Sequence, residues 1–230
     1  MNTRWTAALM LLVAPYANAE VLITGGSEQL TSLTSGANIS NTASSDGVTA
    51  TQNLASNFGS INIGGTSQQT ISIDGGTVAN EAAGGEAIQN LASNADHVTI
   101  VGNSTQGVTV DSGSTVSNRA NSDGSWASQN LASNFGTIWI GGTSIQHVSV
   151  TGSTITNLAA APGAYAAQNL AANFGNVRIS GSSNQRVMLS SSTVINRAQG
   201  SGSSARQSIS SNSSCNVDAS CGLKYRGNTY

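Results

Sequence analysis

The sequence predicts an all-β fold: a β-solenoid of four to five stacked repeats of about 39 residues, cross-β and amyloid-like in its stacking. Three observations predict it. The string Gln-Asn-Leu-Ala-Ser-Asn begins at Gln52, Gln89 and Gln129, with QNLAAN at Gln168 and QSISSN at Gln207, at spacings of 37, 40, 39 and 39 residues. A second glutamine follows each of the first four by 17 residues, at Gln69, Gln106, Gln146 and Gln185, and Gln29 holds that place in an incomplete first copy. Between the glutamines apolar and polar residues alternate with period two, and no stretch keeps a helical period with caps.

Residues 1–19 read as a signal peptide. Arg4 supplies the positive start, Ala7 to Ala14 the apolar stretch, and Ala17-Asn18-Ala19 the small-x-small pattern that places cleavage before Glu20. The apolar run is too short to span a bilayer, and no later segment approaches the roughly 18 apolar residues of a membrane helix. The chain is therefore expected to be exported, secreted or at the cell surface, with no transmembrane segment. The solenoid is expected over 20–212 and a distinct tail over 213–230.

Within a repeat the elements follow in order. In the third copy Ala127 to Asn134 reads as a strand, Phe135-Gly136 as a turn, and Thr137 to Ile140 as a second strand. A Gly141-Gly142 break leads to the alternating Ile145 to Val150, and a Gly152 turn to Thr154 to Ala159. The inward pairs recur as Ile61/Ile63 with Ile71/Ile73, Val98/Ile100 with Val108/Val110, and Val177/Ile179 with Val187/Leu189. After each N-x-Ala step (Asn41, Asn80, Asn118, Asn157, Asn196) comes a run of six or eight residues with turn residues, several of the acidic residues and Pro162, whose variable length marks a surface loop. The 17-residue step does not vary, as packed structure requires, because a one-residue slip would turn every side chain to the other face. One layer per repeat is preferred over two shorter rungs, because it sets identical residues directly above one another.

Buried Asn and Gln are costly unless every amide is paired. Stacked at the inter-strand spacing of about 4.8 Å, identical amides satisfy each other in ladders along the stack. The expected structural ladder comprises Gln52, Asn53, Asn57, Gln89, Asn90, Asn94, Gln129, Asn130, Asn134, Gln168, Asn169 and Asn173, the alternative being turn asparagines on the surface. Cys215 and Cys221, outside the repeats, are expected to close one small disulfide loop, with a recognition tail or a free-thiol pair as the alternatives.

These residues resemble the bacterial functional-amyloid fibre subunits of the curli and Fap types. In Gln52-Asn53-Leu54-Ala55-Ser56-Asn57-Phe58-Gly59 the Gln and Asn keep the curli step, Leu54 stands where Gly is usual, and Gly59 where Ala is usual. The repeat is longer than a curli repeat and nearer the Fap length, and a cysteine pair near the C-terminus is similar to Fap subunits. The resemblance implies a homopolymer of a biofilm matrix, exported through an outer-membrane pore with a periplasmic chaperone. Self-assembly is also expected from the solenoid itself, because open β edges recruit further strands.

Other function classes find little support. Charged residues make up 8% of the chain, against roughly 25% in ordinary domains, and no basic stripe suggests a nucleic-acid partner. No catalytic, cofactor-binding or metal-ligating constellation emerges: His97 and His147 fall at unrelated repeat phases, Asp74 and Asp111 read as solvated turns, and no G-x-S-x-G elbow occurs. No enzyme activity and no cofactor are expected. The alternative is a monomeric β-solenoid adhesin or carbohydrate-binding surface protein. Phe58, Phe135 and Phe174 share a phase but read as a corner-filling stack, while Trp126 and Tyr165 read as loop residues that do not repeat.

Overall fold

The computed structural model describes residues 21–44, 49–55, 57, 59–92, 94–95 and 97–213; the signal peptide expected over 1–19 and the pair Cys215 and Cys221 lie outside the described residues. Eleven short strands follow in order: β1 (Thr49–Ala50), β2 (Glu86–Ala87), β3 (Asn94–Ala95), β4 (Trp126–Ala127), β5 (Asn134–Phe135), β6 (Ile138–Trp139), β7 (Tyr165–Ala166), β8 (Asn173–Phe174), β9 (Val177–Arg178), β10 (Ser204–Ala205) and β11 (Asn212–Ser213). Every strand pair is parallel. The chain is thus a β-solenoid, with sheets ordered β1-β2-β4-β7-β10, β11-β8-β5-β3 and β6-β9.

Equivalent residues of successive repeats pair directly: Trp126 with Tyr165, Asn134 with Asn173, and Ile138 with Val177. One repeat is therefore one layer, and the two-rung alternative is excluded. The ladder continues beyond the named strands, where Ser149 N donates to Val108 O at 2.7 Å and Met188 N to Val148 O at 2.9 Å. Strands stay short because bends interrupt each layer every few residues while interlayer hydrogen bonding goes on around them.

The stretch Ala127 to Asn134 is not one strand. The chain bends at Asn130 and Leu131, whose φ angles are 72° and 58°, and the equivalent pairs at Asn53, Asn90 and Asn169 do the same. Leu131 N donates to Gln129 O at 3.1 Å, closing a γ-turn around Asn130. Asn tolerates the left-handed region better than most residues, and Leu tolerates it poorly. The bend persists because both flanks are pinned: Leu131 is fully buried, and Asn130 N donates to Gln89 O one layer away at 2.9 Å. Gly136 turns the next corner at φ 106°, where a Cβ would stand 2.4 Å from Gly175 O, so only glycine fits between the layers.

Three columns of apolar side chains fill the interior. A middle column holds Ile71, Val78, Leu91, Val108, Val116, Leu131, Val148, Ile155 and Leu170 with their neighbours. An alanine column, with Ala82, Ala87, Ala120, Ala127, Ala159 and Ala166, lies toward the variable loops. The third column contains Ile61, Ile63, Val98, Ile100, Ile138, Ile140 and Val177. Small alanines let the two runs of a layer approach closely where the loop closes it.

This construction separates tolerant from intolerant insertions. One extra serine after Pro162, in an exposed loop, is expected to shift the denaturation midpoint by less than about 1 kcal/mol, since loop closure entropy grows slowly with length. One alanine between Trp139 and Ile140 would turn Ile140 out of its column and lift Gln146 off its ladder. That variant is expected to lose more than about 3 kcal/mol, because apolar and amide groups are both displaced. Urea unfolding followed by circular dichroism checks both.

Candidate functional site

The interior columns are separated by amides. Ten of the twelve ladder residues named from the sequence are almost or fully buried: Gln52, Gln89, Asn90, Asn94, Gln129, Asn130, Asn134, Gln168, Asn169 and Asn173; Asn53 and Asn57 in the first layer are partly exposed. The structure brings them into three columns. Gln89 donates to Gln52 at 2.6 Å, and Gln129 to Gln89 and Gln168 to Gln129 each at 2.5 Å. Asn90 donates to Asn53 at 2.6 Å, Asn130 to Asn90 and Asn169 to Asn130 at 2.7 Å. Asn94 donates to Asn57 at 3.0 Å, Asn134 to Asn94 at 2.9 Å and Asn173 to Asn134 at 2.7 Å.

Gln129 and Asn130 are sequence neighbours, and on a straight strand they would face opposite sides. The bend at Asn130 is what gives each its own column.

Two further ladders were not assigned from the sequence. Gln106 donates to Gln69 at 2.7 Å, Gln146 to Gln106 at 2.9 Å and Gln185 to Gln146 at 3.1 Å. Asn80 donates to Asn118, Asn118 to Asn157 and Asn157 to Asn196, each at 2.6 Å. The signal for both was present, since each set recurs at one repeat phase. The fixed 17-residue step acquires a cause here: it spans one layer, from the Gln129 column to Gln146, whose Nε2 donates across the layer to Asn134 Oδ1 at 3.2 Å. Ser144 Oγ donates to Gln146 Oε1 at 3.1 Å, and the equivalents Ser67, Ser104 and Ser183 repeat this bond.

The ladders have a direction. In four of the five columns each amide nitrogen donates to the preceding layer, toward the N-terminus. The Asn118 column donates toward the following layer. Neutral amides neither carry charge nor move protons at ordinary pH, so these columns hold register and cross-link layers rather than perform acid–base chemistry.

Aromatic rings form a second feature. Trp126 and Tyr165 sit on paired strands β4 and β7, not in loops, with ring centroids 4.9 Å apart and planes at 60°. Phe135 and Phe174, both buried, stack at 5.3 Å with planes 9° apart; Phe58 lies outside the described residues. Burial pushes the Tyr165 phenol above the ordinary tyrosine value, partly offset by the Arg206 guanidinium nearby. On the surface Arg178 lies over the Trp139 ring at 5.1 Å, and Arg119 pairs with Glu81 at 3.3 Å.

His97 and His147 are both exposed. Asp74 bridges to Asp111 in the adjacent layer, and Thr151 Oγ1 donates to Asp111 Oδ2 at 3.2 Å. Among the described residues no three His, Cys, Asp or Glu side chains come together as a metal site, and no helix is long and apolar enough to cross a membrane. Comparison with known protein families, with curated proteins and with solved structures finds no match to this chain.

Proposed function

We propose that this chain is a secreted structural subunit that self-assembles, end on end, into an extracellular amyloid-like fibre of the bacterial surface or biofilm matrix, without enzymatic activity of its own. The observation that carries this reading is a set of core positions left uncovered at the two end layers. Val21 and Ile39 in the first layer are 51% and 46% exposed, and Leu189 and Ile209 in the last are 37% and 48% exposed. Their equivalents in the inner layers, Ile61, Val78, Val150 and Leu131, are exposed by 1% or less. A second copy placed on either end would bury these side chains as the inner layers do, and would pair backbone edges that recruit strands when left open.

Ladder polarity supports head-to-tail order. The first-layer amides Gln29, Gln52 and Asn57 of an added copy would donate onto Gln185, Gln207 and Asn212, continuing columns that already donate that way. Asn196 would donate onto the added copy's Asn41, continuing the column of opposite sense. Head-to-head contact would set like against like in every column, donor against donor in four and acceptor against acceptor in the Asn41 column. Export and the resemblance to curli and Fap subunits belong to the same reading, as do an outer-membrane pore and a chaperone.

The test is direct. The mature chain from Glu20, diluted out of denaturant, should form unbranched fibrils with a meridional reflection near 4.8 Å, the spacing of hydrogen-bonded strands. A β-rich monomer that never elongates would remove the fibre reading and leave the monomeric adhesin.

A further inference from the structure

Both aromatic columns stop at the fourth layer. At the phase of Trp126 and Tyr165 the fifth layer carries Ser204, paired with Tyr165 across β7 and β10, and at the phase of Phe135 and Phe174 it carries Ser213. At Ser128 and Ala167 the side chains are small; the same phase in the fifth layer is Arg206. There a cavity of about 250 Å³ is lined by Tyr165, Phe174, Asn169, Arg206, Gln207 and Ser208 with Ala167. Its walls include the last ring of each aromatic column, and its position is where a further ring would continue the stack.

We infer that this cavity is a binding site for an acidic pyranose, a hexuronate unit of a glycan. Three features of the lining select that chemistry. Last-ring aromatic faces accept the C–H face of a six-membered sugar ring, much as they accept each other. The Arg206 guanidinium offers a fork of donors matched to a ring carboxylate. The lining also holds the Asn169 and Gln207 amides and the Ser208 hydroxyl, which donates to Asn169 Oδ1 at 3.0 Å and keeps its lone pairs for a ring hydroxyl. Each amide nitrogen carries two hydrogens: Asn169 Nδ2 uses one on Asn130, while Gln207 Nε2 donates both to Gln168 and, at 3.4 Å, to Ile195 O. The volume suits one monosaccharide rather than an extended chain segment, and a planar aromatic acid would meet the rings and the arginine but not the hydroxyl-directed groups. The cavity is lined from the fourth and fifth layers, so each chain carries one such site.

The experiment is a titration of the mature chain, as monomer and as any fibre it forms, with trigalacturonate, maltotriose and 4-hydroxybenzoate, read by ligand-observed NMR and by Tyr165 and Trp126 fluorescence. Trigalacturonate should bind saturably, with half-saturation in the millimolar range for the monomer, at least tenfold tighter than either of the other two. Arg206→Gln should remove that preference over maltotriose, whereas Arg197→Gln, an exposed cation of the same layer, should leave it. Tyr165→Ala should weaken both sugars; Tyr165→Phe, which keeps the ring, should restore them. Absence of saturable binding, equal loss in R206Q and R197Q, or tighter binding of 4-hydroxybenzoate would each overturn the assignment. Elongation is measured separately, so a chain that binds hexuronate without forming fibres, or forms fibres without binding it, tells the two readings apart.

Discussion

Replacing Asn134 by alanine should destabilise the solenoid by about 3–5 kcal/mol, more than any single exposed substitution. Asn134 is fully buried, and its amide is bonded to four other amides. Its Nδ2 donates to Asn94 Oδ1 at 2.9 Å and to Gln106 Oε1 at 3.1 Å, while its Oδ1 accepts from Asn173 at 2.7 Å and from Gln146 at 3.2 Å. Truncation strands polar partners on three sides in a place water does not reach, and each buried group left without a partner costs roughly 1–3 kcal/mol. Asn134→Asp should be worse, because an acceptor-only carboxylate faces acceptors on Asn94 and Gln106 and is buried with no counter-charge. Ser112→Ala, at an exposed bend, should stay within about 0.5 kcal/mol. Urea midpoints of the three variants decide the matter: a loss below about 1 kcal/mol at Asn134 would mean that the amides do not hold the layers together.

The second large effect concerns growth rather than folding. Ile39→Lys alters a core position of the first layer that is uncovered in the single chain, so its unfolding free energy should change by less than about 1 kcal/mol, as at other exposed sites. In a head-to-tail stack the same position becomes interior, and an ammonium there loses its hydration without a partner. Seeded elongation by this variant should slow at least 100-fold. Because only one face is altered, Ile39→Lys chains mixed into wild-type monomer should add through their intact face and then terminate that fibre end. Ile145→Lys, exposed on an inner layer, should elongate at the wild-type rate, and Val78→Lys, the buried equivalent of Ile39, should not fold. Thioflavin kinetics with preformed seeds, beside urea unfolding of each monomer, provide the readout. Normal elongation by Ile39→Lys would rule out stacking on that face.

The two predictions use different kinds of information. Repeat length, strand alternation and the identity of the recurrent amides are all written in the order of residues, because a solenoid sets residue i above the residue one repeat later. Local spacing therefore becomes vertical contact without further folding information, and the columns through Gln129, Asn130 and Asn134 could be named from the string alone. The variable loops were legible for the same reason: length changes at Pro162 and its equivalents disturb no stacked position.

What the sequence determined by itself was the fold class, the period and most of the ladder. The tertiary structure decided what lies across a layer rather than along the stack. The γ-turn at Asn130 is hidden from a period-two reading: Asn favours turns, but Leu tolerates the left-handed backbone poorly, and the bend is held by burial of Leu131 and an interlayer bond from Asn130. Only that bend explains how neighbouring Gln129 and Asn130 are both buried. Likewise the pairing of Gln146 with Asn134 joins residues from opposite sides of a layer. Stacking repeats the sequence in space, so it can be read from the sequence; closure of each layer depends on which side chains meet across it, and that is settled only by packing.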